Sequence, residues 1–246
     1  MRNVVAALLF LMFPAIAHGA GYTTVPDRLP PTSLVESFGL PDLGLTEASK
    51  IRVLVPVALD LIKAYEGWAL LDPGKGSGVV VAYNDAVGYC TIGYGHLIAL
   101  KRCENIDIGD FASGLTPDVG ISLLEGDTGR ARQAVQRLVE TDLTDQQFGA
   151  LTSFVFNVGV ENFRKSTLLK YLNDEKPDLA QKQFGRWVSA KGLVLGGLVE
   201  RRSCEAALFG GTLQLDAAGH FDRSKCASLG VDTDVGSLID IQLGEE

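Results

Sequence analysis

A change of hydrophobic period between residues 51 and 98 constrains this chain more than any other feature. From Ile51 the apolar residues Ala58, Leu61, Ile62 and Tyr65 fall at the spacing of one buried helical face, with Pro56 tolerable in a first turn and Gly67 as a stop. The stretch from Val79 to Ile98 is instead rich in Val, Tyr, Thr and Ile and is cut by Asn84-Asp85, Gly88, Gly93 and Gly95, the pattern of a small antiparallel sheet with tight turns. Beyond Gly114 the pattern turns helical again. One helix leading into a small sheet and then a helical bundle is an α+β arrangement, and the groove between its two lobes is a natural ligand site.

The later helices carry their own start signals. Thr116-Pro117-Asp118 offers an N-cap followed by proline at the first helical position, opening a segment expected to run through Arg130, Arg132 and Arg137. Thr144-Asp145-Gln146-Gln147 has the capping-box form, and Phe148, Leu151, Phe154, Val155 and Val158 mark a strongly apolar face behind it. Further helices are expected over 165–173, 177–189 and 198–208, with Gly192, Gly196 and Gly197 breaking the last two apart.

The flanks read differently. Met1-Arg2-Asn3 precedes an apolar run from Val4 to Phe13, then Pro14 and the small-x-small triplet Ala15-Ile16-Ala17, so residues 1–17 are expected to be a secretory signal peptide, with Ala20 as a second cleavage candidate. The run is short for a permanent membrane anchor. Residues 18–50, with Pro26, Pro30, Pro31 and Pro41, read as an extended arm or linker. The formal charge of -8 is uneven: residues 51–210 carry 17 basic and 19 acidic side chains, whereas the extension 211–246 carries seven acidic and two basic ones. No clustered basic stripe points to nucleic acid. Four cysteines, Cys90, Cys103, Cys204 and Cys226, suit disulfides in an oxidising compartment. They permit three pairings, and the short loops favour nearest neighbours, Cys90 with Cys103 and Cys204 with Cys226, as the expectation.

Two features that suggest other chemistry do not hold up. The loop Asp72-Pro73-Gly74-Lys75-Gly76-Ser77-Gly78 lacks the glycine-to-lysine spacing of a phosphate-binding loop and reads as a surface loop. The histidines, His18, His96 and His220, are dispersed and form no ligand cluster, so no metal or other cofactor is implied. What remains is a pair of carboxyls. Glu66 ends an amphipathic helix between Tyr65 and Trp68, surroundings that raise a glutamate's pKa by desolvation, whereas Asp85 lies in a polar turn beside Asn84. Two carboxyls in unlike environments are what acid catalysis of glycosidic cleavage requires.

The run Glu66-Gly67 followed by Ala82-Tyr83-Asn84-Asp85-Ala86-Val87-Gly88-Tyr89-Cys90-Thr91-Ile92-Gly93-Tyr94-Gly95-His96 resembles the signature of bacteriophage-type lysozymes and endolysins, in which a Glu-Gly ends the first helix and an Asp and a Thr six residues apart precede Ile-Gly-x-Gly-His. The resemblance continues through Ser153-Phe154-Val155-Phe156-Asn157-Val158-Gly159, Ser166-Thr167-Leu168-Leu169, Arg186-Trp187 and Gly197-Leu198-Val199-Glu200-Arg201-Arg202, covering residues 55–210 in the family's order. It implies a lysozyme-like fold, an N-terminal helix and small sheet lobe packed on a larger helical lobe, with the catalytic domain over 51–210.

The resemblance implies a muramidase that cuts the β-1,4 bond between MurNAc and GlcNAc in peptidoglycan. Glu66 would be the general acid, while Asp85 and Thr91 would hold the attacking water or steady the oxocarbenium-like transition state, by a route usually described as inverting. Asn157, Arg186 and Arg201 match positions along the substrate groove, and His96 matches a structural histidine. Such a protein would act as a monomer, exported to the periplasm or beyond, in wall remodelling or phage lysis. The chain departs from the family in the long segment between Glu66 and Asp85 and in its acidity, since many phage endolysins are basic, which helps them hold an anionic wall. The alternatives are a lytic transglycosylase, which needs the acid but no water, and a lysozyme-fold protein that grips peptidoglycan without cutting it.

Overall fold

The computed structural model describes residues 51–68, 78–85, 87–227 and 230–245. The expected signal peptide and proline-containing arm, and all but the last residue of the glycine-rich loop, lie outside them. The first helix, α1, spans Pro56–Glu66, with the proline in its first turn and Gly67 in the left-handed conformation, φ 86°, that ends it. Gly67 donates its N–H to the Lys63 carbonyl, closing the last turn, so Glu66 is the final helical residue. Ala58, Leu61 and Ile62 are fully buried, the face that the spacing predicts.

The sheet follows as β1 (Tyr83–Asn84), β2 (Cys90–Ile92) and β3 (His96–Ala99), all antiparallel, with Tyr83 opposite Thr91 and Thr91 opposite Leu97. Trp68 joins α1 to this lobe, its ring centroid 4.9 Å from that of Tyr94. The Cys90–Cys103 disulfide ties β2 to the short 3-10 turn Cys103–Asn105.

The helical lobe is built on α4 (Asp145–Val158), whose capping box forms as its sequence predicts: Thr144 accepts from the Gln147 N–H and Gln147 reaches back to the Thr144 N–H. Side chains are buried all round this helix, which makes it the core of the lobe. Phe154 meets Phe184 and Trp187 edge-on at 5.2 and 5.4 Å between ring centres. Gly149 lets α1 cross α4 closely, since a Cβ there would come within 2.4 Å of the Ala58 Cβ. That crossing fixes where α1 ends, and with it Glu66.

Five expectations change in the helical lobe. The segment from Pro117 breaks into α2 (Pro117–Asp127) and α3 (Gly129–Leu138) at buried Thr128, whose hydroxyl donates back to the Glu125 carbonyl. Thr116 stands at the N-cap position but its side chain makes no capping bond. A helix α5 (Val160–Lys165) precedes α6 (Thr167–Asn173), which Ser166 caps by accepting from Leu169. The helix expected over 177–189 ends early: α7 covers Pro177–Gln183, a 3-10 turn covers Phe184–Arg186, and a hairpin of β4 (Ser189–Ala190) and β5 (Leu193–Val194) follows. Lys191 and Gly192 both have positive φ there, the geometry of a tight hairpin turn that a Lys-Gly pair signals only faintly. Gly196 and Gly197 open α8 (Gly196–Phe209) rather than separating elements.

The segment beyond Phe209 packs onto this lobe. Ile239 and Ile241 are buried in the main core, the Ile239 N–H donates to Arg186 and the Ile241 N–H to Ser189. Gly185 makes room for it, because a Cβ would sit 1.7 Å from the Asp232 carbonyl oxygen. A short helix, α9 (Arg223–Ala227), is joined to α8 by the Cys204–Cys226 disulfide. Both disulfides pair nearest neighbours, as expected. Among the described residues no helix is long and apolar enough to cross a membrane.

Candidate active site

The end of α1 meets the middle of α8. The Glu66 side chain is 8% exposed and accepts a hydrogen bond from Arg201 Nη1 at 2.9 Å. Arg201 is shared: its Nε donates to Glu205 Oε1 at 3.1 Å and its Nη2 to the Ser153 carbonyl at 3.2 Å. Glu205, fully buried, also accepts from the Ser153 hydroxyl and from Arg202, and Arg202 in turn donates to the Asn157 side-chain oxygen. Two carboxyls and two guanidiniums therefore occupy one desolvated seam between α1, α4 and α8. The i, i+4 and i, i+3 spacings of Arg201, Arg202 and Glu205 place all three on neighbouring helical turns.

Burial pushes the Glu66 carboxyl above its ordinary pKa, against the opposing pull of the Arg201 charge and hydrogen bond. The nearby charge of Glu205 adds to the rise. Arg201 also feels the cost of burial, but Glu66 and Glu205 together hold its pKa above the usual arginine value.

The second carboxyl is held by different means. Asp85 follows β1, and its Oδ1 accepts the backbone N–H groups of Val87 and Tyr89, each at 2.9 Å, which fixes the turn into β2. Thr91, 3% exposed, donates its hydroxyl to the Tyr89 carbonyl at 3.3 Å. Asp85 and Thr91 are thus organised around the backbone of one residue. Tyr83, directly across from Thr91, connects the two halves: burial first, then the charges of Asp85 and Glu66, raise its phenol pKa. Its ring stands where both carboxyls are felt.

The other expected residues divide. Arg201 joins Glu66, and Asn157 joins through Arg202. Arg186 does not join them: it donates to the Ser237 carbonyl, Gln183 and Glu245, in the seam with the C-terminal segment. His96 is held by Asp127, both carboxylate oxygens lying 3.0 Å from Nδ1, with Phe111 alongside at 5.6 Å between ring centres. Four members of the seam and its surroundings, Arg202, Glu205, Ser153 and Tyr83, have no role assigned from the sequence. Alternation carried on from β1 puts Tyr83 on the same face as Asp85, and the i, i+4 spacing of Arg201 and Glu205 pairs those two; these are the signals that the sequence offers. A depression of about 490 Å³ lined by Glu140, Asp142, Glu175 and their neighbours shares no residue with this seam.

A helix ending in a buried acid, a small sheet and a helical lobe together define a lysozyme-like α+β fold. The structure resembles the muramidase domain of SpmX from Asticaccaulis excentricus, with a TM-score of 0.52 and 32% identity, covering 64% of this chain and 98% of that domain. Residues 77–205 match the family described as phage lysozyme. An endolysin of Acyrthosiphon pisum secondary endosymbiont phage 1 is 35% identical over 155 residues, 61% of this chain and 93% of that protein. The endolysin of Bacillus phage PZA is 34% identical over 151 residues, and there this chain spans about half, 52%, of the relative's length. The chain belongs to the phage lysozyme family. The family match opens after Glu66 and closes at Glu205, so the acid and the C-terminal segment both fall outside it.

Proposed function

We propose that this chain is an exported muramidase that hydrolyses the β-1,4 bond between MurNAc and GlcNAc in peptidoglycan, with Glu66 as general acid. The observation that carries the reading is the Glu66 carboxyl itself, buried at the end of α1 and held above the ordinary glutamate pKa, so that it keeps a proton to give to the leaving glycosidic oxygen. Arg201 fixes the direction of that carboxyl. Asp85 and Thr91, locked to the Tyr89 backbone, hold the attacking water or face the developing positive charge. Asn157, whose oxygen is taken by Arg202, is assigned a sugar contact through its amide nitrogen. Arg186 is assigned to anchoring the C-terminal segment. Two disulfides suit a protein that works outside the reducing cytoplasm.

The test is clearing of purified peptidoglycan by the wild type and by Glu66→Gln. Glu66→Gln keeps the size of the side chain but carries no transferable proton, and a loss of about 10³-fold is expected. Activity of the wild type should fall as pH rises through the elevated Glu66 pKa, because the acid form is the one that donates. Clearing by Glu66→Gln at the wild-type rate would remove Glu66 from the mechanism. Mass spectrometry of the products should show one water added per cut; anhydro-muramyl ends would identify a transglycosylase instead, and intact glycan a binding protein.

A further inference from the structure

The C-terminal segment lies outside the region shared with the family, yet it reaches the last turn of α1. The guanidinium of Arg223, on α9, lies 4.5 Å from the ring centre of Tyr65, the residue before Glu66. Its Nη1 donates to the Ala64 carbonyl at 3.4 Å. Its Nε and Nη2 both reach the Glu200 carboxylate on α8, the residue before Arg201. Three residues further on, Cys226 is bonded to Cys204 of α8, and the Tyr65 hydroxyl, which must be the donor to a disulfide sulfur, lies 3.1 Å from Cys204 Sγ.

These contacts meet at a weak point. The last carbonyls of a helix have no partner within it, and the terminal turn is where helices fray. Ala64 is in that turn, and its carbonyl receives a cation where the helix dipole favours one. The ring of Tyr65 gains a cation–π partner over its face.

We propose that Arg223 is a positioning residue for Glu66, clamping the last turn of α1 to α8 so that the carboxyl is delivered to one place beside Arg201. The proposal rests on the reading of Glu66 as the acid. Arg223 touches Tyr65, Ala64 and Glu200, not the reacting atoms, and acts by narrowing where the acid can sit. A misplacement of about 1 Å costs on the order of 10²-fold in rate, so even partial release of the turn should be visible in kcat.

The test compares kcat and KM on purified peptidoglycan for the full chain with both disulfides intact and for Arg223→Gln, Arg223→Lys, Glu66→Gln and Ile239→Ala, each at a temperature where circular dichroism shows it folded. Ile239→Ala loosens the far end of the C-terminal segment in the core and controls for general destabilisation. Arg223→Gln is expected to lower kcat about tenfold with KM within about twofold, as for loss of a positioned catalytic group. Arg223→Lys should recover most of the loss, and Ile239→Ala should keep the wild-type kcat despite a lower Tm. Wild-type kcat in Arg223→Gln, or an equal loss in Ile239→Ala, would overturn the positioning role. If Glu66→Gln is inactive in either event, the acid survives and only the clamp falls; an active Glu66→Gln removes both.

Discussion

The seam between α1 and α8 and the sheet beside it each hold a carboxyl for the same proposed reaction, and they hold it by opposite means. In the seam, Glu66 and Glu205 are 8% and 0% exposed and are fixed by guanidiniums, so their placement depends on charge balance in a desolvated space. In the sheet, Asp85 is fixed by two peptide N–H groups and Thr91 by a peptide carbonyl, so their placement depends on the shape of a turn. The first arrangement alters the chemistry of the group it holds; the second mainly aims it. A change of charge should therefore be felt in the seam as lost stability and in the sheet as lost rate.

The sharpest way to break that contrast is to remove charge from Glu205 without changing its shape. Glu205→Gln takes away the one carboxylate that both Arg201, 4% exposed, and fully buried Arg202 reach, leaving Arg202 with no acidic partner and Arg201 with Glu66 alone. An uncompensated buried charge costs about 3–5 kcal/mol, and denaturant unfolding should show a loss in that range. Arg201 would then turn wholly to Glu66 and favour its ionised form, so the residual folded enzyme should also lose activity at lower pH than the wild type. A stability loss below about 1 kcal/mol would mean that the seam tolerates an unpaired guanidinium, and that its charges are not what holds it together.

How much of this was legible beforehand follows the same divide. Elements governed by local chemistry could be read: Gly67 ending α1, the capping box at Thr144, the turn at Asn84-Asp85 and the order of helix, sheet and bundle all rest on neighbours in sequence. Glu66, Asp85 and Thr91 could be proposed for catalysis only because an ordered motif picks them out, the first two from among 30 acidic residues. What could not be read depends on contacts distant in the chain. Glu205 looks like any helical glutamate until Ser153, 52 residues earlier, is brought against it. The close passage of Asp232 over Gly185, just past the end of α7, and the place of Arg186 both depend on the C-terminal segment arriving, the latter through Ser237 and Glu245. The hairpin at Lys191-Gly192 was hidden for a local reason, since lysine rarely takes positive φ.

In the sheet the corresponding change is Asp85→Asn. An asparagine oxygen accepts the same two N–H groups, so the turn should survive and stability should shift by less than about 1 kcal/mol. The rate should nevertheless fall about 10²-fold, because the amide can neither hold a water as a base nor offset positive charge. Unchanged clearing with unchanged stability would reduce Asp85 to a turn residue. Loss of stability equal to that of Glu205→Gln would erase the distinction between the two regions.

The smallest effect is expected at the ion pair of His96, on β3, with Asp127. His96 is half-buried, and its hydrogen bond to Asp127, aided by the aspartate's charge, raises its pKa above the ordinary histidine value although burial works the other way. A group whose pKa rises on folding stabilises fully below its unfolded pKa, about 6.5, and that contribution disappears as pH climbs through the folded value. The stability difference between wild type and His96→Asn should therefore be larger at about pH 5.5 than at about pH 8.5, by no more than about 0.5 kcal/mol because solvent screens a partly exposed pair. Taking the difference between the two proteins cancels the titration of Glu66, which both share. A flat difference across that range would mean that the imidazole is placed by Phe111 and its strand rather than by charge.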